Sequence, residues 1–234
     1  DAQDRTITGE LYGGNSEMRL KQEILLGIGG IRMLAEIGIK PDVYHNNEGH
    51  SAFSSLERLR YMMVEEKISA DEAVELIRAS TLYTTHTAVP AGHDSFDEEL
   101  MRVYFSHLCS VLKIPWDEFM AFGRFTTTVA TKFSMSVLAI HFSQEVNGVS
   151  EIHGRVSREM FAPLFPGYFP EELFISHVTN GVHFPTWVAN SWLKLYVDTF
   201  GKDFLDNQSN ENYWLKIHND SDEKEWNTHL QQTA

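Results

Sequence analysis

Glu48 and His50, a carboxylate and an imidazole two residues apart, close the run Asn46-Asn47-Glu48-Gly49-His50. One turn holding these groups and two carboxamides can hydrogen-bond several sugar hydroxyls, and its carboxylate can stabilise developing positive charge. The competing reading is helix capping by Asn47 or Ser51, with His50 incidental, and the residues alone do not choose between the two. Other chemistry-bearing groups argue less. Cys109 sits among Leu108, Val111 and Leu112, where a thiol is usually buried and inert. His45 and His50, and His86 and His93, lack metal-ligand spacing, and no paired cysteines accompany them, so no metal is expected. Gly27-Ile28-Gly29-Gly30 falls inside a helical pattern, which suits close packing better than a phosphate loop.

The elements that must position these residues alternate short β-like runs with longer helical ones, an α/β pattern. Leu20, Ile24, Ile28, Ile31 and Leu34 predict a helix from Arg19 to Ile37, capped at Asn15 or Ser16 and stopped by Gly38 and Pro41. Strands are expected at Asp42–His45, Thr81–Thr85 and Phe174–Val178, parallel in one sheet, with that helix on one face. Between them stand predicted helices at Ser51–Lys67, Ala70–Ala79, Ser95–Leu112, Pro115–Phe122, Ser134–Phe142, Gly148–Phe161 and Thr186–Thr199. Two of these open on the pattern of a capping box, Ser69-Ala-Asp-Glu72 and Ser95-Phe-Asp-Glu98. Gln144–Gly148 reads as a joint between helices. Three strand exits result, Glu48–His50, His86–His93 and Thr179–His183, each rich in polar neutral groups. Open α/β sheets bind ligands at such carboxyl ends, and this lining suits a carbohydrate better than a phosphorylated or cationic ligand.

Composition narrows the classes. The 234 residues carry 33 acidic and 19 basic side chains, a net charge of −14, which disfavours a nucleic-acid partner. A single cysteine allows no intrachain disulfide and fits a reducing compartment. No apolar run approaches a membrane span, and the polar start lacks a signal-peptide layout, so a cytoplasmic location is expected. Two sequons, at Asn207 and Asn219, read as accidental in such a protein.

In order along the chain, Arg19-Leu-Lys-Gln-Glu23, Asn47-Glu-Gly-His50, Thr85-His-Thr87, Val146-Asn-Gly-Val149 with Ile152-His153, and Thr179-Asn-Gly-Val182 with Trp187 resemble the α-glucan phosphorylases. Tyr12-Gly-Gly14 and Val89-Pro-Ala-Gly-His-Asp94 are similar to the shorter bacterial and archaeal branch. The resemblance implies one lobe of a two-lobed, GT-B-like glycosyltransferase. Such an enzyme transfers the terminal glucosyl unit of an α-1,4-glucan to inorganic phosphate, giving glucose 1-phosphate with retention. It also implies pyridoxal phosphate, held by a lysine in the carboxy-terminal lobe, and a family with allosteric and oligomeric members.

Carried over residue by residue, the resemblance places Glu48 and His50 beside the glucosyl pocket as catalytic residues. Asn47, Gln144 and Asn147 are then expected to bind substrate on the same concave surface, with Asn147 organising its turn and Gln144 standing where the family has a histidine. Residues 1–205 correspond to the later half of the amino-terminal lobe, and 206–234 to a polar, acidic segment near the lobe boundary. No cofactor-binding residue is expected in this chain, which should be inactive alone. A glucan synthase of similar architecture and a non-catalytic glucan-binding module are the alternatives.

Overall fold

The computed structural model describes residues 4–10, 13–125, 132–220, 227 and 228. Tyr12 and Ser221, which belong to the quoted motif and the second sequon, lie outside them. The chain divides into two compact units, Asp1–Thr179 and Asn180–Ala234.

The first unit opens with one helical run made of α1 (Ser16–Ile24), a π-type turn (Leu25–Gly29) and α2 (Gly30–Glu36). Asn15 caps it, its Oδ1 accepting the Met18 N–H at 2.9 Å. The run leads to β1 (Tyr44–Asn47), a 3₁₀ turn (Gly49–Ser51) and α3 (Phe53–Arg60). Gly27 explains the glycine run: a Cβ there would meet Ser54 N at 2.7 Å and Phe53 Cβ at 2.8 Å. The first helix therefore lies directly on α3 at Gly27, whereas a Cβ at Gly30 would meet nothing within 4 Å.

Next come α4 (Ala70–Ala79) and β2 (Thr81–Thr84). The first expected capping box forms, with Ser69 and Glu72 satisfying each other's backbone donors. The second does not. Ser95–Asp97 is β3, α5 (Glu98–Leu112) begins after it, and Asp97 makes no side-chain cap. Glu98 instead accepts from Trp116 Nε1 at 2.8 Å, from Arg124 and from Arg102, and these bonds hold its carboxyl down to about 2. Then follow α6 (Trp116–Ala121), β4 (Lys132–Ser134), α7 (Met135–His141), β5 (Glu145–Gly148), α8 (Glu151–Phe161) and β6 (Ile175–His177).

The main sheet is parallel throughout, in the order β1-β2-β5-β6, and β3 pairs antiparallel with β4 in a ribbon. The three expected strands thus share one parallel sheet, displaced by one or two residues at their ends. The strand the sequence hid is β5, which lies between β2 and β6 where a joint was expected. A buried aromatic stack, Phe53 on Phe105 at 4.8 Å, then Phe119 at 5.4 Å and Phe133 at 5.6 Å, joins α3, α5, α6 and β4. Cys109 is buried beside it, and burial pushes its thiol up, as an inert structural cysteine requires.

The second unit contains α9 (Phe184–Trp187), α10 (Asn190–Phe200) and α11 (Glu211–Asp220). The helix expected over Thr186–Thr199 is broken between Trp187 and Asn190. Phe184, Tyr196 and Trp214 pack around the buried Phe204 at 5.3 to 5.5 Å.

Candidate functional site

In the parallel register Asn47 stands beside Thr84 and Thr84 beside Asn147, so β1, β2 and β5 end at one level. The ladder runs one step past each end: the Glu48 N–H donates to Thr84 O at 2.9 Å and the Thr85 N–H to Asn147 O at 3.0 Å. A cleft of about 380 Å³ opens at this edge, with Arg19, Glu48, Gly49 and His50 in its lining. Thr87, Gly92, His93 and Asp94 from the exit of β2 and Ser136 from α7 complete it.

Glu48 is the organising residue. Its backbone sits at φ 71°, ψ 167°, a region almost reserved for glycine. Its carboxylate fixes this geometry. Oε1 accepts the Thr87 N–H at 2.7 Å, the Thr87 hydroxyl at 3.1 Å and the His86 N–H. Oε2 takes one long bond among the described residues, 3.3 Å from the Gly49 N–H. Gly49 has no room for a side chain, because a Cβ would lie 3.1 Å from both Ser136 N and Ser136 Oγ. The turn therefore rests on α7, whose Ser136 hydroxyl is 2.6 Å from His93 Nδ1.

Neither Asn47 nor Ser51 caps α3, whose first residue follows Ala52 with no side-chain cap bond. Buried Asn46 accepts the Ser51 and Ser54 hydroxyls at 3.2 and 3.0 Å, tying the strand end to α3. His50 is half-buried, and burial pushes its imidazole below the ordinary range. Glu48 and Asp94 pull it back, and Arg19 and His86 push the same way as burial. Burial also lowers His93. Both rings are therefore neutral near pH 7, each with one donor and one acceptor nitrogen.

The carbohydrate phosphorylase family model matches residues 17–233. The chain belongs to that family. It is 42% identical over 212 residues to glycogen phosphorylase of Mycobacterium tuberculosis, covering 86% of this chain and 24% of that protein. It is 40% identical over 228 residues to maltodextrin phosphorylase of Thermococcus litoralis, covering 97% and 26%. Glycogen phosphorylase of Aquifex aeolicus is 29% identical over 227 residues, covering 97% and 32%. The chain thus spans about a quarter to a third of the length of these relatives.

Within this phosphorylase lobe, Glu48 and His50 line the cleft, and Gln144 lies outside its lining. β5 is a strand, not a turn, and Gln144 precedes its amino end, its N–H bonded to Arg78 O and Thr81 O at the far edge of the sheet. Asn147 reaches the correct edge, but it is 5% exposed and its carboxamide is occupied within the protein. Its Oδ1 accepts the Thr84 hydroxyl at 2.9 Å and its Nδ2 donates to Gly148 O at 3.0 Å. It organises the strand ends. Asn47 is exposed at the end of β1, outside the cleft lining.

The sequence reading placed Thr87 and His93 in a polar strand exit, and it missed Arg19, Asp94 and Ser136 as cleft residues and the His86–Thr87 amides as the anchor of Glu48. Arg19 and Asp94 lie in stretches that already resembled the family. Of the third strand exit, Thr179 ends the first unit and Asn180–His183 belong to the second. That second unit has its own shallow cavity, walled by Val182, Phe184, Trp187, Trp192 and Tyr196, without a carboxylate or imidazole to do acid–base work. Among the described residues no cluster of three or more metal ligands occurs, and no helix is long and apolar enough to cross a membrane.

Proposed function

We propose that this chain forms the glucosyl-holding side of an α-glucan phosphorylase. The whole protein would transfer the terminal glucosyl unit of an α-1,4-glucan to inorganic phosphate and release glucose 1-phosphate. One observation carries the reading: in a chain of this family, a carboxylate and a neutral imidazole meet in a cleft at the carboxyl ends of parallel strands. Glu48 Oε2 is the oxygen left to accept a sugar hydroxyl, and its charge favours the oxocarbenium character of glycosyl transfer. His50, neutral, donates to one hydroxyl or accepts from another. Asn147 supports the site from beneath, and Asn47 remains at its rim.

The cleft itself does not fit pyridoxal phosphate. No lysine lines it among the described residues, and its guanidinium, Arg19, is already bridged to Glu23 and Asp94. The reading therefore assigns the cofactor and the substrate phosphate to the remainder of the whole protein. The test is incubation of the whole protein with maltoheptaose and inorganic phosphate. Appearance of α-glucose 1-phosphate supports the reading. Free glucose, no reaction, or growth of the glucan that depends on a sugar nucleotide overturns it, the last in favour of a synthase.

A further inference from the structure

Glu23 lies on α1 one turn beyond Arg19, behind the cleft wall, and is 1% exposed. The same guanidinium nitrogen, Arg19 Nη2, stands 2.9 Å from Glu23 Oε1 and 2.6 Å from Asp94 Oδ2. Two carboxyl groups therefore converge on one cation, and Glu23 Oε2 has no hydrogen-bond donor among the described residues. An ionised carboxylate buried with an empty oxygen is costly, whereas the neutral acid turns that oxygen into a donor. The acceptor is at hand, because Asp94 Oδ2 and Glu23 Oε1 stand on the same guanidinium nitrogen.

We propose that Glu23 is a neutral carboxylic acid that donates its proton to Asp94, and that this acid–carboxylate–guanidinium clamp is the positioning device for the cleft wall carrying His93 and Asp94. The charged groups facing Glu23 are Arg19 from its own helix and Asp94 from the segment entering β3, with His50 beyond them in the field of both. Burial, then the Asp94 charge, pushes Glu23 up to about 9 against the pull of Arg19. Gln22 steadies the guanidinium from the other side, its Oε1 3.1 Å from Arg19 Nη1. Above about pH 9 the second anion forms, the two carboxylates repel, and the wall keeps Arg19 but loses its bond to Glu23.

Infrared spectroscopy of the whole protein at neutral pH tests the protonation directly, whatever reaction the protein catalyses. The wild type should show a carboxylic-acid carbonyl band that Glu23→Gln removes. Asp94→Asn should shift that band, because an amide accepts more weakly than a carboxylate. A missing band, or one untouched by both substitutions, overturns the neutral acid. The positioning role rests on the phosphorylase reading and is tested by kinetics. Between neutral pH and pH 9.5, KM for maltoheptaose should rise about threefold or more in the wild type relative to Glu23→Gln, whose amide cannot ionise, with a smaller change in the kcat ratio. A flat KM ratio overturns the positioning role. Absence of phosphorolysis with the infrared band intact marks failure of the functional reading instead.

Discussion

Replacing Glu48 by alanine and by glycine separates the strain in its backbone from the anchoring by its carboxylate. At φ 71° and ψ 167° a residue with a Cβ carries roughly 1–3 kcal/mol of strain. Three donors hold it there: the His86 N–H, the Thr87 N–H and the Thr87 hydroxyl, all on Oε1. Glu48→Ala keeps the strain and deletes the anchor. His86 is exposed, so water replaces its bond, while half-buried Thr87 loses two bonds to a charged acceptor at about 1.5–3 kcal/mol each. Alanine should therefore cost about 3–6 kcal/mol.

Glu48→Gly deletes the anchor and the strain together, at a glycine entropy cost of about 0.5–1 kcal/mol. Glycine should thus be more stable than alanine by about 1–2 kcal/mol, the reverse of the usual order. Native-state hydrogen exchange of the buried amides of β2, next to the site, reads this difference. A glycine variant no more stable than the alanine variant refutes the strain argument and, with it, the claim that the carboxylate holds this turn in place.

Gly27→Ala should destabilise the chain by about 1–3 kcal/mol in the same exchange measurement, because α3 backbone stands 2.7 Å from the new Cβ. Ser69→Ala should cost about 1 kcal/mol, seen as faster exchange at the start of α4, since the capping box is lost. In an NMR titration, the His50 and His93 rings should take up protons only below the ordinary imidazole range. Stability then falls as pH drops from about 6.5 toward their lowered values, where the unfolded chain binds more protons than the folded one. The 234-residue chain by itself should release no glucose 1-phosphate from maltoheptaose and phosphate, because its cleft holds no lysine or uncommitted guanidinium for a phosphate.

Local signals made much of this fold legible. Asn15 and Ser69 each had a cap to make and made it, and the apolar spacing from Leu20 to Leu34 matches the observed helical run. The failures were non-local. β5 contributes Glu-Val-Asn-Gly with one apolar side chain, and it is a strand because β2 and β6 pair with it on both sides. Ser95 and Glu98 have the spacing of a capping box, yet β4, more than thirty residues later, pairs Ser95 with Ser134 instead. The place of Gln144 follows from the first failure. A turn would keep residues 144 and 147 together, whereas a strand separates them by roughly 10 Å and sends them to opposite edges of the sheet. The candidate site was half visible: Glu48 and His50 stood out by type and spacing. Arg19 and Asp94 lay in stretches that resembled the family but meet only in the fold, and Ser136 joins the cleft through a contact that its sequence neighbours do not encode.

The most direct test of the Glu48–His50 cleft is the phosphorolysis rate of the whole protein carrying Glu48→Gln, with maltoheptaose binding measured alongside. Glutamine keeps an acceptor for the His86 and Thr87 amides but removes the charge, so the turn survives while its electrostatic role does not. Turnover should fall about 10²- to 10³-fold, with maltoheptaose affinity changed by less than about tenfold. Turnover equal to that of the wild type would contradict the role assigned to Glu48 and to the cleft built around it.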